Sequence, residues 1–158
     1  MEKGSINIIS ESEEFTRAVG RKFAGLIGRQ DTIIGLEGEL GTGKTQFIKG
    51  FISYYNFSEY EVTSPSFTMI NIYEKNNLTI YHIDLYRLKK INDFIRTGII
   101  DYIYSDGIKL IEWCEKLEKE LNSFIKIKIK YLGNNKRLLK FYNHSLFFNH
   151  KLTQMTKS

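Results

Sequence analysis

The octapeptide Gly-Glu-Leu-Gly-Thr-Gly-Lys-Thr at positions 38–45 constrains this chain more than any other feature. An apolar run with β-branched residues, from Thr32 to Glu37, leads directly into it, and residues 45–56 follow with the pattern of a helix. A strand, a glycine-rich loop and a helix in this order are the context in which a loop binds phosphate groups. The sequence therefore predicts a site for the triphosphate of a nucleotide with Mg²⁺.

Each position of this loop has a physical task. Its glycines, Gly38, Gly41 and Gly43, allow backbone conformations and close approaches that a Cβ would block. The loop amides can then point inward as a nest for an anion, extended by the N-terminus of the following helix. Lys44 supplies a point charge to the β- and γ-phosphates, and the Thr45 hydroxyl can ligate Mg²⁺. The residues predicted to bind the nucleotide are Gly38, Glu39, Leu40, Gly41, Thr42, Gly43, Lys44, Thr45 and Gln46.

A nucleotide hydrolase also needs a carboxylate for its metal ion, and such a residue commonly stands at the end of a buried strand. Two residues fit this description: Asp84 ends the run 80–84, and Glu112 ends the run 108–112. Either could hold Mg²⁺ directly or through water, and the sequence leaves open which carboxylate is nearer the metal. We predict that Lys44, Asp84 and Glu112 form the catalytic set.

The absence of one sequence motif indicates which base the bound nucleotide carries. Guanine specificity normally brings an Asn-Lys-x-Asp string. The nearest string in this chain, Asn-Lys-Arg-Leu at positions 135–138, lacks the aspartate. The sequence therefore favours ATP over GTP.

The whole chain is typical of one α/β domain of the P-loop NTPase type, with a central mixed β-sheet flanked by helices. We assign this domain to residues 1–148 and expect residues 149–158, which show no periodicity, to form a flexible tail. The other expected elements are, in chain order, an edge strand at 6–9, a helix at 11–27 with a capping box of Ser10 and Glu13, a turn or mobile loop at 63–68, a hairpin of 69–73 with 78–84, a helix at 91–103 interrupted near Gly98, a strand at 108–112, a short helix at 115–121, and a hairpin of 124–131 with 137–142.

Charge and composition limit the binding partners and the cellular location that we expect for the protein. The formal net charge of +5 and the pI of about 9.2 are compatible with an RNA-associated partner. The densest lysine stretch, 126–130, alternates with isoleucine, which favours the solvated face of a strand over a nucleic-acid stripe. A single cysteine, Cys114, and the lack of an opening secretory signal predict a cytoplasmic protein. No apolar run approaches the ~18 residues that span a bilayer, so no membrane is expected.

With these pieces in order, the chain resembles the TsaE (YjeE) family of small bacterial P-loop ATPases from about residue 6 to residue 142. Four blocks carry the resemblance, the first of which is the phosphate loop. Cys114 stands where the family usually has proline, which relaxes a backbone constraint and leaves the flanking residues in place. The other three blocks are Thr-Ser-Pro-Ser-Phe-Thr at 63–68, similar to the family's first switch segment; His-Ile-Asp-Leu-Tyr-Arg at 82–87, which matches its His-x-Asp-x-Tyr-Arg; and Glu-Trp-Cys-Glu at 112–115, similar to its Glu-Trp-Pro-Glu.

The resemblance implies roles for individual residues. Thr45 and Glu112 would ligate Mg²⁺, and Asp84 would be a catalytic carboxylate or one that orients the metal's ligands. Arg137 and Glu13 fall where the family contacts the nucleotide base. The residues expected to respond to the γ-phosphate or to meet a partner are Thr63, Ser64, Thr68, His82, Tyr86, Arg87 and Trp113.

Members of that family act in making the threonylcarbamoyl modification of the adenosine beside the tRNA anticodon. The resemblance therefore implies an Mg²⁺-dependent ATPase whose partners are the TsaD transferase and its paralogue TsaB, with tRNA reached through that complex. The chain has no evident arginine finger beyond Arg87 and no glutamine placed to orient water, so we expect slow hydrolysis without the partners. Three alternatives stay open: a small-molecule or nucleoside kinase of the P-loop class, a binding module that uses nucleotide only to order its loops, and a protein that binds RNA directly.

Overall fold

The computed structural model describes residues 5–142 and Thr153 of the 158-residue chain. Residues 5–142 form a seven-stranded sheet and four α-helices. In chain order these are β1 Ser5–Ser10, α1 Glu13–Ile27, β2 Thr32–Glu37, α2 Lys44–Ser53, β3 Ile70–Lys75, β4 Leu78–Asp84, α3 Ile91–Arg96, α4 Ile99–Ile103, β5 Ile108–Glu112, β6 Ile125–Gly133 and β7 Lys136–Tyr142.

The sheet is mixed, and its centre is parallel. The strand order is β1-β7-β6-β2-β5-β4-β3, in which β2 pairs in parallel with β5 and β6, and β4 pairs in parallel with β5. The pairs β1–β7, β6–β7 and β3–β4 are antiparallel. Because open α/β sheets bind ligands outside the carboxyl ends of their parallel strands, β2 delivers the phosphate loop to that edge. The predicted fold class is confirmed, as is the position of β1 at an edge of the sheet.

Both predicted hairpins are present, and both turn at consecutive asparagines. Asn76 and Asn77, with φ of 51° and 62°, join β3 to β4. Asn134 and Asn135, with φ of 50° and 60°, join β6 to β7. Positive φ at both central residues gives a turn whose twist matches that of the paired strands, and asparagine tolerates this conformation better than most residues.

The lysines of β6 lie on a solvated face, as their alternation predicts. Ile127 and Ile129 are fully buried, whereas Lys128 between them is exposed. Lys126 and Lys128 each form an ion pair of 3.2 Å with Glu37. Part of the positive charge on this strand is therefore compensated within the protein.

The predicted cap of α1 is wrong. Ser12 is the N-cap residue, because its hydroxyl accepts a hydrogen bond of 3.0 Å from the backbone N–H of Phe15. Ser10 is buried instead, and its hydroxyl lies 2.7 Å from that of Thr16. The polar residues before the helix offered more than one possible cap, and burial of Ser10 in the sheet decides between them.

The predicted helix at 115–121 does not form. A 3₁₀ turn, Cys114–Lys116, stands at its beginning, and the chain continues through isolated turns to Leu121. Leu117 and Leu121 are nevertheless buried. The spacing of apolar residues in this segment therefore reflects their burial and not a helix. The interruption of the preceding helix is confirmed, since Gly98, with φ of 74°, separates α3 from α4.

Two apolar clusters cover the faces of the sheet. On one face, α1 and α2 enclose the rings of Phe23, Phe47, Phe51 and Phe141, whose neighbouring centroids lie 5.3–6.2 Å apart. On the other face, α3, α4 and the segment after β5 enclose a second cluster that includes Phe94. The site lies where these two layers meet the carboxyl ends of the parallel strands.

α1 and α2 approach each other backbone to backbone. A Cβ on Gly50 would lie 1.8 Å from the carbonyl oxygen of Arg17, and one on Gly20 would lie 2.1 Å from that of Phe47. No side chain fits at either position without moving one of the helices. This contact fixes the start of α2, and with it the position of Lys44.

The ends of the chain bear on two further predictions. The boundary at residue 148 and the tail 149–158 fall outside the described residues, except for Thr153. Within the described part, none of the helices has the length and apolar character needed to cross a membrane.

Candidate nucleotide-binding site

The phosphate loop has the backbone conformation that its glycines predict. Gly41 and Gly43 have φ of 77° and 109°, in the region that favours glycine. A Cβ on Gly43 would lie 2.9 Å from Nε of Arg137. At Gly38 the constraint is space, since a Cβ there would lie 2.5 Å from the carbonyl oxygen of Ile129. The loop is therefore held tightly from beneath by β6 and β7.

α2 begins directly at the loop. Gly43 is its N-cap residue, and no side chain caps the first turn. The first amides of a helix have no partners within the helix, and the positive end of the helix dipole attracts anions. The loop and helix together therefore offer backbone N–H groups to a phosphate.

Lys44 reaches back across the loop. Its ammonium donates hydrogen bonds to the carbonyl oxygens of Gly38 and Glu39, the latter at 2.8 Å, and lies 4.5 Å from the centre of the Trp113 ring. Burial lowers the pKa of Lys44 below its ordinary value, although Glu112 opposes this shift. A buried ammonium beside a glycine-rich loop is suited to a phosphate oxygen.

The two carboxylates predicted for the metal lie side by side. Asp84 and Glu112 end adjacent parallel strands and are Cα partners in the β4–β5 register. The Thr45 hydroxyl donates to Oε1 of Glu112 at 3.4 Å. Strand pairing thus brings together residues that are far apart in sequence.

The surroundings of Asp84 and Glu112 shift the pKa values of the two carboxyl groups in opposite directions. Burial, together with the neighbouring charge of Glu112, raises the pKa of Asp84 above its ordinary value. Burial also opposes ionisation of Glu112, but the His82 imidazole and the Lys44 ammonium hold the pKa of Glu112 below its ordinary value. Glu112 is therefore the more firmly ionised of the two.

These side chains fit a magnesium ion. Mg²⁺ prefers oxygen ligands and usually binds through one or two carboxylates together with phosphate oxygens and water. Thr45, Glu112 and Asp84 offer a hydroxyl and two carboxylates on one cavity. Among the described residues there is no group of three or more His, Cys, Asp or Glu side chains placed to hold a metal ion, so the phosphates and water would have to supply the remaining ligands.

A cavity of about 310 Å³ joins the loop to these carboxylates. It has two walls. The loop side consists of the loop 38–45 and α2, with β2 behind them, and the opposing wall is formed by the segments 63–68, 84–88 and 112–116, only some of whose residues reach the cavity. The residues that line the cavity are Glu13, Leu40, Gly41, Gly43, Lys44, Thr45, Gln46, Ser64, Ser66, Asp84, Tyr86, Arg87, Glu112, Trp113 and Arg137.

One end of the cavity carries the residues expected near the nucleotide base. Arg137 is buried and donates from Nε to the carbonyl oxygen of Thr42 at 3.1 Å, and it pairs with Glu13 at 3.6 Å. Gln46 lines the same cavity and accepts a hydrogen bond of 2.7 Å from Arg17. Arg137 thus supports the loop as well as facing the site.

On the opposing wall, Asp84 is surrounded by polar contacts. Its Oδ1 accepts from the backbone N–H of Tyr86 at 2.8 Å, and its Oδ2 lies 3.4 Å from the hydroxyls of Ser64 and Ser66. The Tyr86 and Trp113 rings lie 5.1 Å apart. These contacts place the predicted switch segments against one carboxylate.

Arg87 is an exposed residue of the cavity lining on this wall. Its guanidinium lies 4.4 Å from the centre of the Phe67 ring, which is itself 82% exposed. This pair forms an aromatic and cationic rim at the mouth of the cavity.

Several predicted residues stand outside the lining of the cavity. Thr63 and Thr68 instead contact Asn71 on β3: the Thr63 carbonyl accepts from its amide, and the Thr68 hydroxyl lies 3.4 Å from Oδ1. His82 is fully buried behind the carboxylates, with Nε2 3.8 Å from Glu112 and no hydrogen-bond partner for either ring nitrogen among the described residues. Their predicted roles in switching or partner binding stay predictions.

Sequence reasoning missed two residues of this wall. Ser66 lines the cavity, and the signal for it was its place inside the 63–68 block. Lys116 contacts the 85–88 segment through its ammonium group. No local pattern predicts this contact, because it joins segments about 30 residues apart.

A family model described as threonylcarbamoyl adenosine biosynthesis protein TsaE matches residues 10–139. The chain belongs to the TsaE family. The TsaE protein of Treponema pallidum is 34% identical over 82% of this chain and 94% of its own length, and that of Rickettsia conorii is 36% identical over 89% of this chain and 77% of its own. The crystal structure of YdiB from Bacillus subtilis superposes with a TM-score of 0.73 at 27% identity, covering 97% of this chain and 95% of YdiB.

Cys114 marks a departure from the usual TsaE pattern, and the structure shows what it does. The residue is buried against β2, where a Cβ on Gly35 would lie 2.6 Å from its sulfur. Burial raises the pKa of the Cys114 thiol to about 12. The thiol is therefore a packing group and not a nucleophile.

Proposed function

We propose that this member of the TsaE family is an Mg²⁺-dependent ATPase required for the threonylcarbamoyl modification of the tRNA adenosine beside the anticodon, acting with the TsaB–TsaD complex. The observation that carries the ATPase part is a single cavity shared by the phosphate loop, Thr45, Asp84 and Glu112. Support for the tRNA part comes from the family and from the names of the relatives.

The residues divide the work as follows. The loop amides and Lys44 hold the phosphates, and Thr45 with Glu112 would hold Mg²⁺. When bound, this ion would neutralise charge on the β- and γ-phosphates. Asp84, with a raised pKa, would orient water on the opposing wall through its contacts with Ser64.

Partner dependence is supported by the groups that face the cavity. The arginines among its lining residues are Arg87 and Arg137. Arg137 is engaged with a loop carbonyl, and Arg87 lies over Phe67 at the rim. Gln46 already accepts a hydrogen bond from Arg17. Among the lining residues this leaves Arg87 as the one candidate arginine finger and no glutamine free to hold the attacking water, so a partner would complete the site.

The deciding experiment is phosphate release from ATP by the purified protein, alone and with the TsaB–TsaD pair. We expect slow turnover alone and a clear acceleration with the pair, and faster turnover of ATP than of GTP. Fast turnover that the pair leaves unchanged would contradict partner dependence. Omission of Mg²⁺ should abolish hydrolysis in both cases.

Product analysis separates the alternatives. Free phosphate supports an ATPase, a phosphorylated acceptor supports the kinase, and absence of ADP after long incubation with the partners supports a binding module. Direct RNA binding would appear as a salt-sensitive shift of tRNA by the isolated protein. We expect no such shift, because the lysines of β6 alternate with buried isoleucines on one face of a strand, and Glu37 compensates part of their charge.

A further inference from the structure

The ammonium of Lys116 is surrounded by backbone carbonyls of another segment. It donates hydrogen bonds to the carbonyl oxygens of Leu85 at 3.0 Å, Tyr86 at 2.5 Å and Leu88 at 2.9 Å. An ammonium has three N–H donors, and all three are used on a single stretch of chain. Such charge-assisted bonds are stronger than neutral ones.

The bonds join two parts of the opposing wall. Lys116 ends the 3₁₀ turn that follows Glu112 and Trp113, whereas its three acceptors directly follow Asp84. A backbone bond from the Leu85 N–H to the Glu112 carbonyl, at 3.2 Å, joins the same two segments closer to the sheet. Lys116 therefore closes a second link between the strand ends that carry the two carboxylates.

The link also reaches the aromatic pair above the phosphate loop. The Lys116 ammonium lies 5.6 Å from the centre of the Tyr86 ring and 6.0 Å from that of Trp113. Trp113 in turn lies against Lys44. Lys116 itself is not among the residues that line the cavity, and its contact with Trp113 is at the outer limit of a cation–π interaction.

We infer that Lys116 is a positioning residue for the proposed ATPase: its charge holds residues 85–88 in the conformation in which Asp84 faces the nucleotide. The inference rests on the proposed function. The backbone N–H of Tyr86 bonds to Asp84, so a shift of this segment moves the carboxylate. The phosphate loop is packed separately through α1 and β6, so its grip on the nucleotide does not depend on Lys116.

We expect the loss of Lys116 to affect kcat and not KM for ATP. In the presence of the TsaB–TsaD pair, Lys116→Ala should lower kcat about tenfold and leave KM for ATP nearly unchanged. A misplacement of about 1 Å can cost about a hundredfold, and a smaller shift of Asp84 costs less. Lys119→Ala is the matched control, since Lys119 is an exposed lysine of the same segment. An equal loss in the two variants, or a loss confined to KM, would overturn the inference.

Chemical rescue separates the charge from mere packing. n-Propylammonium replaces the atoms from Cγ to Nζ that Lys116→Ala removes, and we expect it to restore most of the lost kcat. Tetramethylammonium carries the same charge without an N–H donor, and n-propanol has similar bulk without the charge; neither should rescue. Rescue by either of these, or no rescue by n-propylammonium, would contradict a role for the three hydrogen bonds.

Amide hydrogen exchange tests the link without hydrolysis. In Lys116→Met, which keeps most of the stem, the amides of Leu85, Tyr86 and Leu88 should exchange faster while those of α1 stay unchanged. Unchanged exchange at 85–88, or faster exchange throughout the chain, would overturn the inference. If the wild-type protein releases no phosphate with its partners, the proposed function fails, and the exchange result still decides whether Lys116 holds this segment.

Discussion

The loop side of the cavity rests on close packing, whereas the side chains that face the cavity from the opposing wall are held by a few polar contacts. The rest of that wall is anchored in the second apolar cluster by Leu85, Leu88 and Cys114. Beneath the loop, α1 and α2 meet backbone to backbone at Gly50, and buried phenylalanine rings fill the space to the sheet. Across the cavity, Asp84 is held by one backbone N–H and by two hydroxyls at 3.4 Å. Phe67 and Tyr86 of that wall are exposed.

Nucleotide binding and the movements that accompany hydrolysis therefore depend on different parts of the molecule. Closely packed cores resist small displacements, so the loop side is preformed for the phosphates. Segments held by few contacts open at low free-energy cost and are the ones that move when ligands or partners bind. We therefore expect changes to the loop side to affect binding or folding, and changes to the opposing wall to affect turnover.

The largest effect is expected at Lys44. Lys44→Ala removes the buried charge of the loop side and should weaken ATP binding about a thousandfold, which effectively abolishes it at ordinary concentrations. Isothermal titration calorimetry measures the affinity, with Lys49→Ala on the same helix as the control. Retained ATP affinity in Lys44→Ala would overturn the assignment of the loop.

Gly50 tests the packing of the loop side directly. Gly50→Ala would place a methyl group 1.8 Å from the Arg17 carbonyl oxygen and should lower the free energy of unfolding by about 3 kcal/mol. Gly25→Ala, on the exposed surface of α1, would have as its nearest contact the exposed Tyr54 ring at 3.3 Å, and should change the free energy of unfolding by less than about 1 kcal/mol. Denaturant unfolding measures both. Equal values would contradict the backbone-to-backbone contact of α1 and α2 as the constraint on the loop side.

Asp84 tests the opposing wall. Asp84→Asn keeps an acceptor for the Tyr86 N–H but removes the charge, and kcat with the partners should fall about a hundredfold while ATP affinity changes little. Because burial raises the pKa of Asp84, its carboxylate costs folding free energy at neutral pH, so the variant should not be less stable. Single-turnover hydrolysis and denaturant unfolding measure the two effects. A loss of ATP affinity larger than the loss of kcat would show that the opposing wall contributes to nucleotide binding more than to hydrolysis.

The smallest effect is expected at Glu37, at the end of β2. Burial raises its pKa, but hydrogen bonds from Lys126 and Lys128 outweigh burial and hold the pKa below the ordinary value of 4.5. These contacts therefore stabilise the fold above pH 4.5, and the contribution is lost as the pH falls through the lowered pKa.

Glu37→Gln should accordingly lower the free energy of unfolding at pH 7 by no more than about 1 kcal/mol, since the pair is partly exposed and screened by solvent. The difference from wild type should shrink as the pH is lowered below that range. Unfolding curves at several pH values measure it, with the exposed Glu74→Gln as control. A difference that grows in acid would contradict the ion pairs.

The sequence predicted what local patterns determine. The strand, loop and helix around Lys44 follow from glycine placement and apolar spacing, and the asparagine pairs predicted both hairpins. Asp84 and Glu112 were also found, because each ends an apolar run. Their alignment across β4 and β5 depends on sheet register, which a single run of residues does not contain.

What the sequence could not predict depends on distant contacts. The choice of Ser12 over Ser10 as cap is made by burial of Ser10 at the end of a sheet strand. The apolar residues at 117 and 121 are buried without a helix. Lys116 is a lysine in a polar segment until the chain folds and brings the carbonyls of residues 85–88 to it.

The central position of β2 in the sheet affects how the chain folds during synthesis. Ile34 of this strand pairs with Leu110 on one side and with Ile125 on the other, and β1 is completed only by β7, since Ser5 lies opposite Tyr142. Contacts this distant in sequence form slowly and late. On the ribosome, a nascent chain that ends before β6 presents an unpaired edge of β2, so a truncated product would associate with other chains rather than work at reduced capacity.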